Sequence, residues 1–450
     1  MEYSFGNKKF KPHEQLLYNF GVSFEIDLYM NVLFSSILCL LLTNACKNRE
    51  STIDINSENR ANLFAHDSSS LYATDILTGA DQTELWLPLL KGKYVSCVVN
   101  QTSVIGKTHV VDSILGSGIN VVNIFAPEHG FRGTEDAGAT ILNSKDTKTG
   151  LQVISLYGAN KKPQWNDIAD AEIIIFDIQD VGARFYTYIS TLHYVMEACA
   201  ENKKQLIILD RPNPNGFYVD GPILQKEFSS FVGMHPVPIV HGMTIGEYAQ
   251  MINGEKWLAN GVQCDIIVIP CKNYDHKKYY EVKIPPSPNL KSMKAIYLYP
   301  SLCLFEGTHV SVGRGTANPF EIFGSPYLSD YKNNNITFTP KTMPGAKSPP
   351  FINQKCYGYD YSNIDLTIMR EGFATNGITL YDLENIYSSF SEKDKFFLPN
   401  NFFNKLSGND ELMQQIKAGL NGEEIKLSWQ NDIAAFKQMR KKYLLYPDFE

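Results

Sequence analysis

Glu128, His129, Arg132, Glu135 and Asp136 fall within nine residues, just after the apolar run Val121–Ala126 stops at Pro127. Carboxylates and an imidazole at this spacing are groups that transfer protons, and an arginine beside them holds anions. Gly130, Gly133 and Gly138 break up the same loop, and glycine lets a backbone turn tightly and approach a ligand. Loops that leave the ends of buried strands are where open α/β sheets place such groups. The competing reading is a solvated loop with incidental charge.

Other stretches have the same form. Phe176–Tyr188 carries Asp177, Asp180, Arg184 and Tyr186 beyond an apolar run. Strand alternation turns Asp177 toward the core and leaves Asp180 better placed to reach a ligand; the alternative is a capping and ion-pair network at a helix start. Asp210–Gly216 (DRPNPNG) presents Arg211 and Asn213 on a loop stiffened by Pro212 and Pro214. His241 precedes a Thr244-x-x-Glu247 capping box. Farther on, 285–290, 304–308 and 311–320 add Glu306 and Arg314. Several acids with Arg, Asn, Tyr and His in one cleft suit carbohydrate binding and glycosidic hydrolysis: acids move protons, amides and arginines hold hydroxyls and anions. No Cys/His spacing reads as a zinc site, and neither a CxxC nor a GxSxG elbow occurs. Neither a metal nor a cofactor is therefore expected.

These loops need a sheet. Strand-like runs cover Tyr94–Asn100, Val121–Ala126, Val153–Tyr157, Glu172–Ile178, Gln205–Asp210 and Cys264–Pro270. Helical patterns cover Thr108–Leu115, Tyr188–Asn202 and Thr244–Gly254. Continuous apolar runs separated by helices predict a mostly parallel sheet covered on both faces, a Rossmann-like α/β domain over 86–295. Gly116-Ser-Gly118 lacks the third glycine and precedes a strand, so no dinucleotide is implied. After Pro300 the pattern weakens, and helices return at Ile378–Phe390, Asn409–Ala418 and Ile433–Lys442. That predicts a smaller α+β domain over 296–450, with the active-site cleft between the two.

The chain has 450 residues and a formal net charge of −7, which argues against nucleic acid as a partner. Val32–Leu42 is an apolar run too short to span a bilayer comfortably but suited to an export signal. Leu42-Thr-Asn-Ala-Cys46 then resembles a bacterial lipoprotein cleavage box, with Cys46 the lipidated residue. Residues 1–45 are read as the export segment and 46–85 as a polar tether. Glu25 and Asp27 stand where a basic region is expected, so Met30 competes with Met1 as the start. The location expected is the cell envelope, lipid-anchored at the periplasmic or outer membrane face. The cysteines beyond Cys46 are read as buried free thiols.

At these residues the chain resembles a known family. NQTSV (100–104), APEHGFRG (126–133), SLYG (155–158), FDIQDVGARFYTYI (176–189), DRPNPNG (210–216), HGMTIGE (241–247), PPSPNL (285–290) and EGTHVSVGRGTANPFE (306–321) look like the NamZ-type exo-β-N-acetylmuramidases. The resemblance implies a peptidoglycan-recycling glycosidase that removes N-acetylmuramic acid from the non-reducing end of glycan fragments. It implies Glu128 as catalytic residue, here taken as the general acid, with His129 or a neighbouring acid tuning it. Asp180 is the first choice for a second carboxylate, then Glu306 and Glu135. A retaining pair would stand about 5–5.5 Å apart and an inverting pair about 6.5–9.5 Å, and the substrate's acetamido group is a third route. Muramic acid carries a lactyl carboxylate that a fixed arginine would read, with Arg184, Arg211 and Arg314 as candidates. Tyr186, Asp210, Asn213, His241, Asn289 and Glu306 complete the expected substrate-binding set. The competing functions are a cell-wall amidase or esterase using His241 and His129, and a non-catalytic peptidoglycan-binding lipoprotein.

Overall fold

The computed structural model describes residues 76–131 and 144–450. Cys46, the apolar run Val32–Leu42, Arg132, Glu135 and Asp136 lie outside the described residues. Seven strands form the main sheet: β1 Tyr94–Val99, β2 Asn120–Ala126, β3 Ser144–Lys145, β4 Gln152–Ser155, β5 Ile173–Asp177, β6 Gln205–Leu209 and β7 Ile266–Ile269. Their spatial order is β3-β4-β2-β1-β5-β6-β7, parallel throughout except for β3 at the edge.

Strand alternation sorts the side chains onto two cores. Ile173 and Ile175 join Val95, Cys97, Ile124 and Ile207 on one face. Ile174 and Phe176 join Val98, Phe125, Leu206 and Ile208 on the other. The central strands are therefore apolar at nearly every position, as a doubly covered sheet requires. Trp86 and α1 (Val110–Gly116) cover the first face. Helices α2 (Tyr188–Glu201) and α3 (Ile245–Gly254) cover the second. Thr244 and Glu247 close the capping box at the start of α3, a device whose loss costs about 1 kcal/mol.

The chain builds outward from β1 through β2 to β4, then crosses back to β5 and continues through β6 to β7. The switch point thus lies between β1 and β5. There Ser103 donates to the Asp177 carbonyl, and the Gln179 N–H donates to Thr102 Oγ1 at 3.0 Å. Two sequence boundaries move. The tether is expected to run to residue 85, yet Leu77 already bridges to Lys272, and Thr78, Ala80 and Gln82 are buried. The first helix begins at Val110, not Thr108, because Thr108–His109 pairs as a short hairpin with Val104–Ile105.

The second domain opens with α4 (Met293–Leu302). A three-stranded antiparallel sheet follows, β8 Ile322–Ser325, β9 Ile336–Phe338 and β10 Cys356–Asp360, with β10 in the middle. Helices α5 (Leu366–Asn376), α6 (Tyr381–Ser389), α7 (Glu411–Ala418) and α8 (Gln430–Arg440), with the short helices Phe402–Ser407 and Gly422–Leu427, complete it. Both domains share the larger apolar core, in which Phe185, Tyr299, Phe320 and Leu406 take part.

Candidate functional site

Glu128 stands two residues beyond β2. His129 (φ 71°) and Gly130 (φ 77°) then take the left-handed region, and the Gly130 N–H closes the turn on the Pro127 carbonyl at 3.0 Å. Glycine does this freely, whereas a histidine holds it at a cost of roughly 1 kcal/mol or more. Backbone outliers of this kind cluster where a fold must aim a side chain. Thr187 Oγ1 donates to Glu128 Oε2 at 2.7 Å. Tyr157, just past β4, hydrogen-bonds the same carboxyl; burial and then the Glu128 charge raise its phenol pKa. The Glu128 head group is thus oriented by hydroxyls from two different elements.

Glu128 opens into a cavity of about 370 Å³. His129, Tyr157, Phe185, Tyr186, Thr187, Phe231 and Val232 line it from the first domain, and Tyr299, Cys303, Glu306, Arg314, Phe320, Phe402 and Leu406 from the second. The volume is at the lower end of the about 300–1,000 Å³ typical of small-molecule sites, room for one substituted sugar ring. Glu306 lies in the tight turn Cys303–Gly307. Arg314 grips it with both ends of the fork, Nε to Oε1 at 2.5 Å and Nη2 to Oε2 at 3.2 Å. The Arg314 guanidinium also lies 5.0 Å from the Phe320 ring centre. Burial opposes its charge, but Glu306 outweighs that and raises the Arg314 pKa.

Glu128, His129, Tyr186, Glu306 and Arg314 are therefore brought to one cavity by loops far apart in sequence. The other expected site residues are spent elsewhere. Asp180 is not among the lining residues; its Oδ2 accepts from the Gly182 N–H at 2.7 Å, and burial pushes its pKa up to about 7. Arg184 is fully buried, donating to the carbonyls of Pro222 and Val237 at 2.8 and 2.7 Å and of Leu406 and Ser407 at 2.9 and 2.6 Å. Burial lowers its pKa to about 9. It pins the two domains together instead of facing the cavity.

Arg211 pairs with Asp177 at 2.5 Å and 2.9 Å and lines a separate recess of about 130 Å³. Asp210 accepts from Thr244, Gly246 and Tyr446 at 2.7, 2.8 and 2.6 Å. Asn213 donates to the Met243 carbonyl at 2.9 Å, and Asn289 to that of Gly345 at 2.8 Å. His241 Nδ1 accepts from the Met243 N–H at 3.2 Å. Burial, then Arg440 and Arg184, lower the His241 pKa to about 3, so it stays neutral. These groups rigidify the loops around the site. A larger recess of about 550 Å³ lies within the second domain, between α5 and α6. It is lined mainly by apolar groups such as Ile368, Phe373 and Leu380, and none of the strand-end residues reaches it.

Sequence reasoning left Thr187, Phe231, Tyr299 and Phe402 unassigned, and it quoted Tyr157 without a role. Tyr157 and Thr187 had a usable signal, since both follow β-strand ends on the rim that carries Glu128.

Residues 95–294 match the family described as "Exo-beta-N-acetylmuramidase NamZ, N-terminal", and residues 297–446 match "Exo-beta-N-acetylmuramidase NamZ, C-terminal". The chain is 37% identical over 373 residues to the peptidoglycan β-N-acetylmuramidase NamZ of Bacillus subtilis (strain 168), covering 79% of this chain and 88% of that one. It is also similar to a crystal structure of a DUF1343 family protein from Bacteroides fragilis NCTC 9343, at 47% identity and a TM-score of 0.76, over 83% of this chain and 100% of the other. A second DUF1343 family protein from the same organism is 28% identical, with a TM-score of 0.67, over 82% and 99% of the two chains.

Proposed function

The chain belongs to the NamZ exo-β-N-acetylmuramidase family, and from that premise we propose that it is a glycoside hydrolase releasing terminal N-acetylmuramic acid from the non-reducing end of peptidoglycan fragments, in cell-wall recycling. The observation that supports this best is Glu128, held by Thr187 and Tyr157 at the edge of a cavity sized for one ring. A carboxyl so fixed is poised to protonate the departing glycosidic oxygen, the step a glycosidase must catalyse.

Among the described residues, Glu306 is the other carboxylate in the cavity, and Arg314 holds both of its oxygens. That pairing suits a fixed negative charge, stabilising the positive charge that develops on the ring, better than it suits a proton carrier. The attacking group is then a water or the substrate's own acetamido oxygen, a route some glycosidases use. Among the described arginines, Arg314 is the one that lines the cavity and so the one offered to the lactyl carboxylate, whereas Arg184 and Arg211 lie outside it. Cys46, as a lipid anchor, would hold the enzyme in the envelope beside its polymer.

The test is direct. Purified protein is incubated with a muramic-acid-terminated disaccharide, and free N-acetylmuramic acid is measured by chromatography. Release by the wild type and its loss by at least about 10²-fold in Glu128→Gln is expected. Binding without release would leave a glycan-binding protein, and near-normal turnover by Glu128→Gln would remove Glu128 from the mechanism. Palmitate-analogue labelling that vanishes in Cys46→Ala tests the anchor.

A further inference from the structure

The cavity has a closed end and an open end. Tyr299 and Phe320 are 7% and 1% exposed, whereas Tyr157, Phe231 and Tyr194 are all half-buried. Tyr157 and Phe231 line the open end of the cavity, and Tyr194, outside the lining itself, continues the cluster beyond Phe231. Tyr157 lies 5.9 Å from Phe231, tilted by 59°. Phe231 and Tyr194 are nearly parallel, 19° apart with centres 6.3 Å apart, which makes them a shelf of two side-by-side rings more than a face-to-face stack. The Lys161 ammonium stands 4.8 Å from the Phe231 ring centre. The main chain supports the shelf, since Ser190 in α2 donates to the Phe231 carbonyl at 2.7 Å.

Tyr157 joins this shelf to the chemistry, because its hydroxyl meets Glu128 while its ring meets Phe231. A general acid must lie within hydrogen-bond reach of the oxygen it protonates. That oxygen connects the released ring, toward the closed end, to whatever it is leaving. A leaving portion directed to the open end passes over Tyr157 toward Phe231, with Tyr194 next beyond it. Aromatic faces bind the apolar C–H face of a pyranose, and an ammonium at the same surface donates to its hydroxyl or acetamido oxygens. We infer that Phe231, Tyr194 and Lys161 form the subsite for the leaving sugar, the N-acetylglucosamine residue that follows the terminal muramic acid. This rests on the exo-muramidase reading and adds to it a source of selectivity for glycan over other leaving groups.

The experiment compares kcat/KM for the muramic acid–N-acetylglucosamine disaccharide with that for methyl N-acetylmuramic acid glycoside, whose leaving group is too small to reach the shelf. Wild type, Phe231→Leu and Tyr194→Leu are measured, the leucines keeping apolar volume while removing the rings. The wild type should prefer the disaccharide, and each variant should reduce that preference by about tenfold, chiefly through KM. A preference unchanged in both variants, or an equal loss on both substrates, overturns the assignment while leaving the hydrolase reading intact. A wild type that releases muramic acid from neither substrate overturns the hydrolase reading, and the leaving-sugar subsite with it.

Discussion

Arg314 and Glu306 meet fork to fork inside the cavity that Glu128 opens into, with Nε–Oε1 at 2.5 Å and Nη2–Oε2 at 3.2 Å. Both are partly shielded from water. In such surroundings a bidentate pair fixes geometry, and each charge depends on the other. The pair uses Nε and Nη2 of Arg314. On the proposed function, this one arginine both fixes the acid beside the ring and reads the ring's own carboxylate through its remaining N–H groups.

Arg314→Lys should lose about 10²-fold in kcat/KM on a muramic acid glycoside and far less on the matching glucosamine glycoside. Lysine keeps the charge but lacks the planar fork, so it cannot serve Glu306 and a lactyl carboxylate together. The ratio of the two kcat/KM values is the measurement. Equal losses on both substrates would place the lactyl contact elsewhere.

Thr187→Val and Tyr157→Phe each remove one hydroxyl from Glu128 while keeping the shape of the side chain. Each should lower kcat about tenfold, with only a small drop in Tm, since one hydrogen bond is worth about 0.5–1.5 kcal/mol net. Tyr157→Phe also retains the ring that touches Phe231, so the preference for a sugar leaving group should survive it. A kcat within twofold of wild type in both variants would mean that Glu128 is positioned by other contacts.

Sequence pattern located the sheet because its central strands are apolar on both faces, as in Ile173–Phe176. It located Glu128 because a strand end followed by glycines advertises itself. It did not reveal how deep each loop residue lies. Arg184, Asp210 and His241 leave the same rim, but their side chains turn inward to main-chain groups and capping hydroxyls. Phe231, Phe402 and Tyr299 were invisible because an apolar wall of a cavity reads like any core residue. The second domain was expected to be α+β, but its individual strands were not placed, for a related reason. Gly324 pairs with Gly358 in its register, and two glycines carry no side chains to mark an alternation.

Arg184→Met should affect folding, not selectivity. Its guanidinium feeds four carbonyls, two of them in the second domain at Leu406 and Ser407. Methionine fills similar space but leaves all four without that donor. A loss of roughly 3–5 kcal/mol is expected, read as a lower denaturation midpoint. The muramic-to-glucosamine ratio should stay at its wild-type value in whatever folded enzyme remains. A normal midpoint with a lost ratio would return Arg184 to the binding site.

Asp180 gives a stability prediction with a defined sign. Burial raises its pKa from 3.8 to about 7 in the folded chain, and its Oδ1 has no hydrogen-bond partner. The fold therefore favours the protonated form. That contribution is fully present below the unfolded value of 3.8 and is lost as the pH rises toward 7. Asp180→Asn keeps an oxygen for the Gly182 N–H and cannot ionise. Its denaturation midpoint should change less than the wild type's between pH 4 and 7, and at pH 8 it should be the more stable protein by on the order of 2 kcal/mol. Because Asp180 does not line the cavity, the variant should keep most of its turnover. A parallel pH–stability curve would show that Asp180 is not a buried titrating group, and a turnover loss as large as that of Glu128→Gln would restore Asp180 as the second catalytic carboxylate.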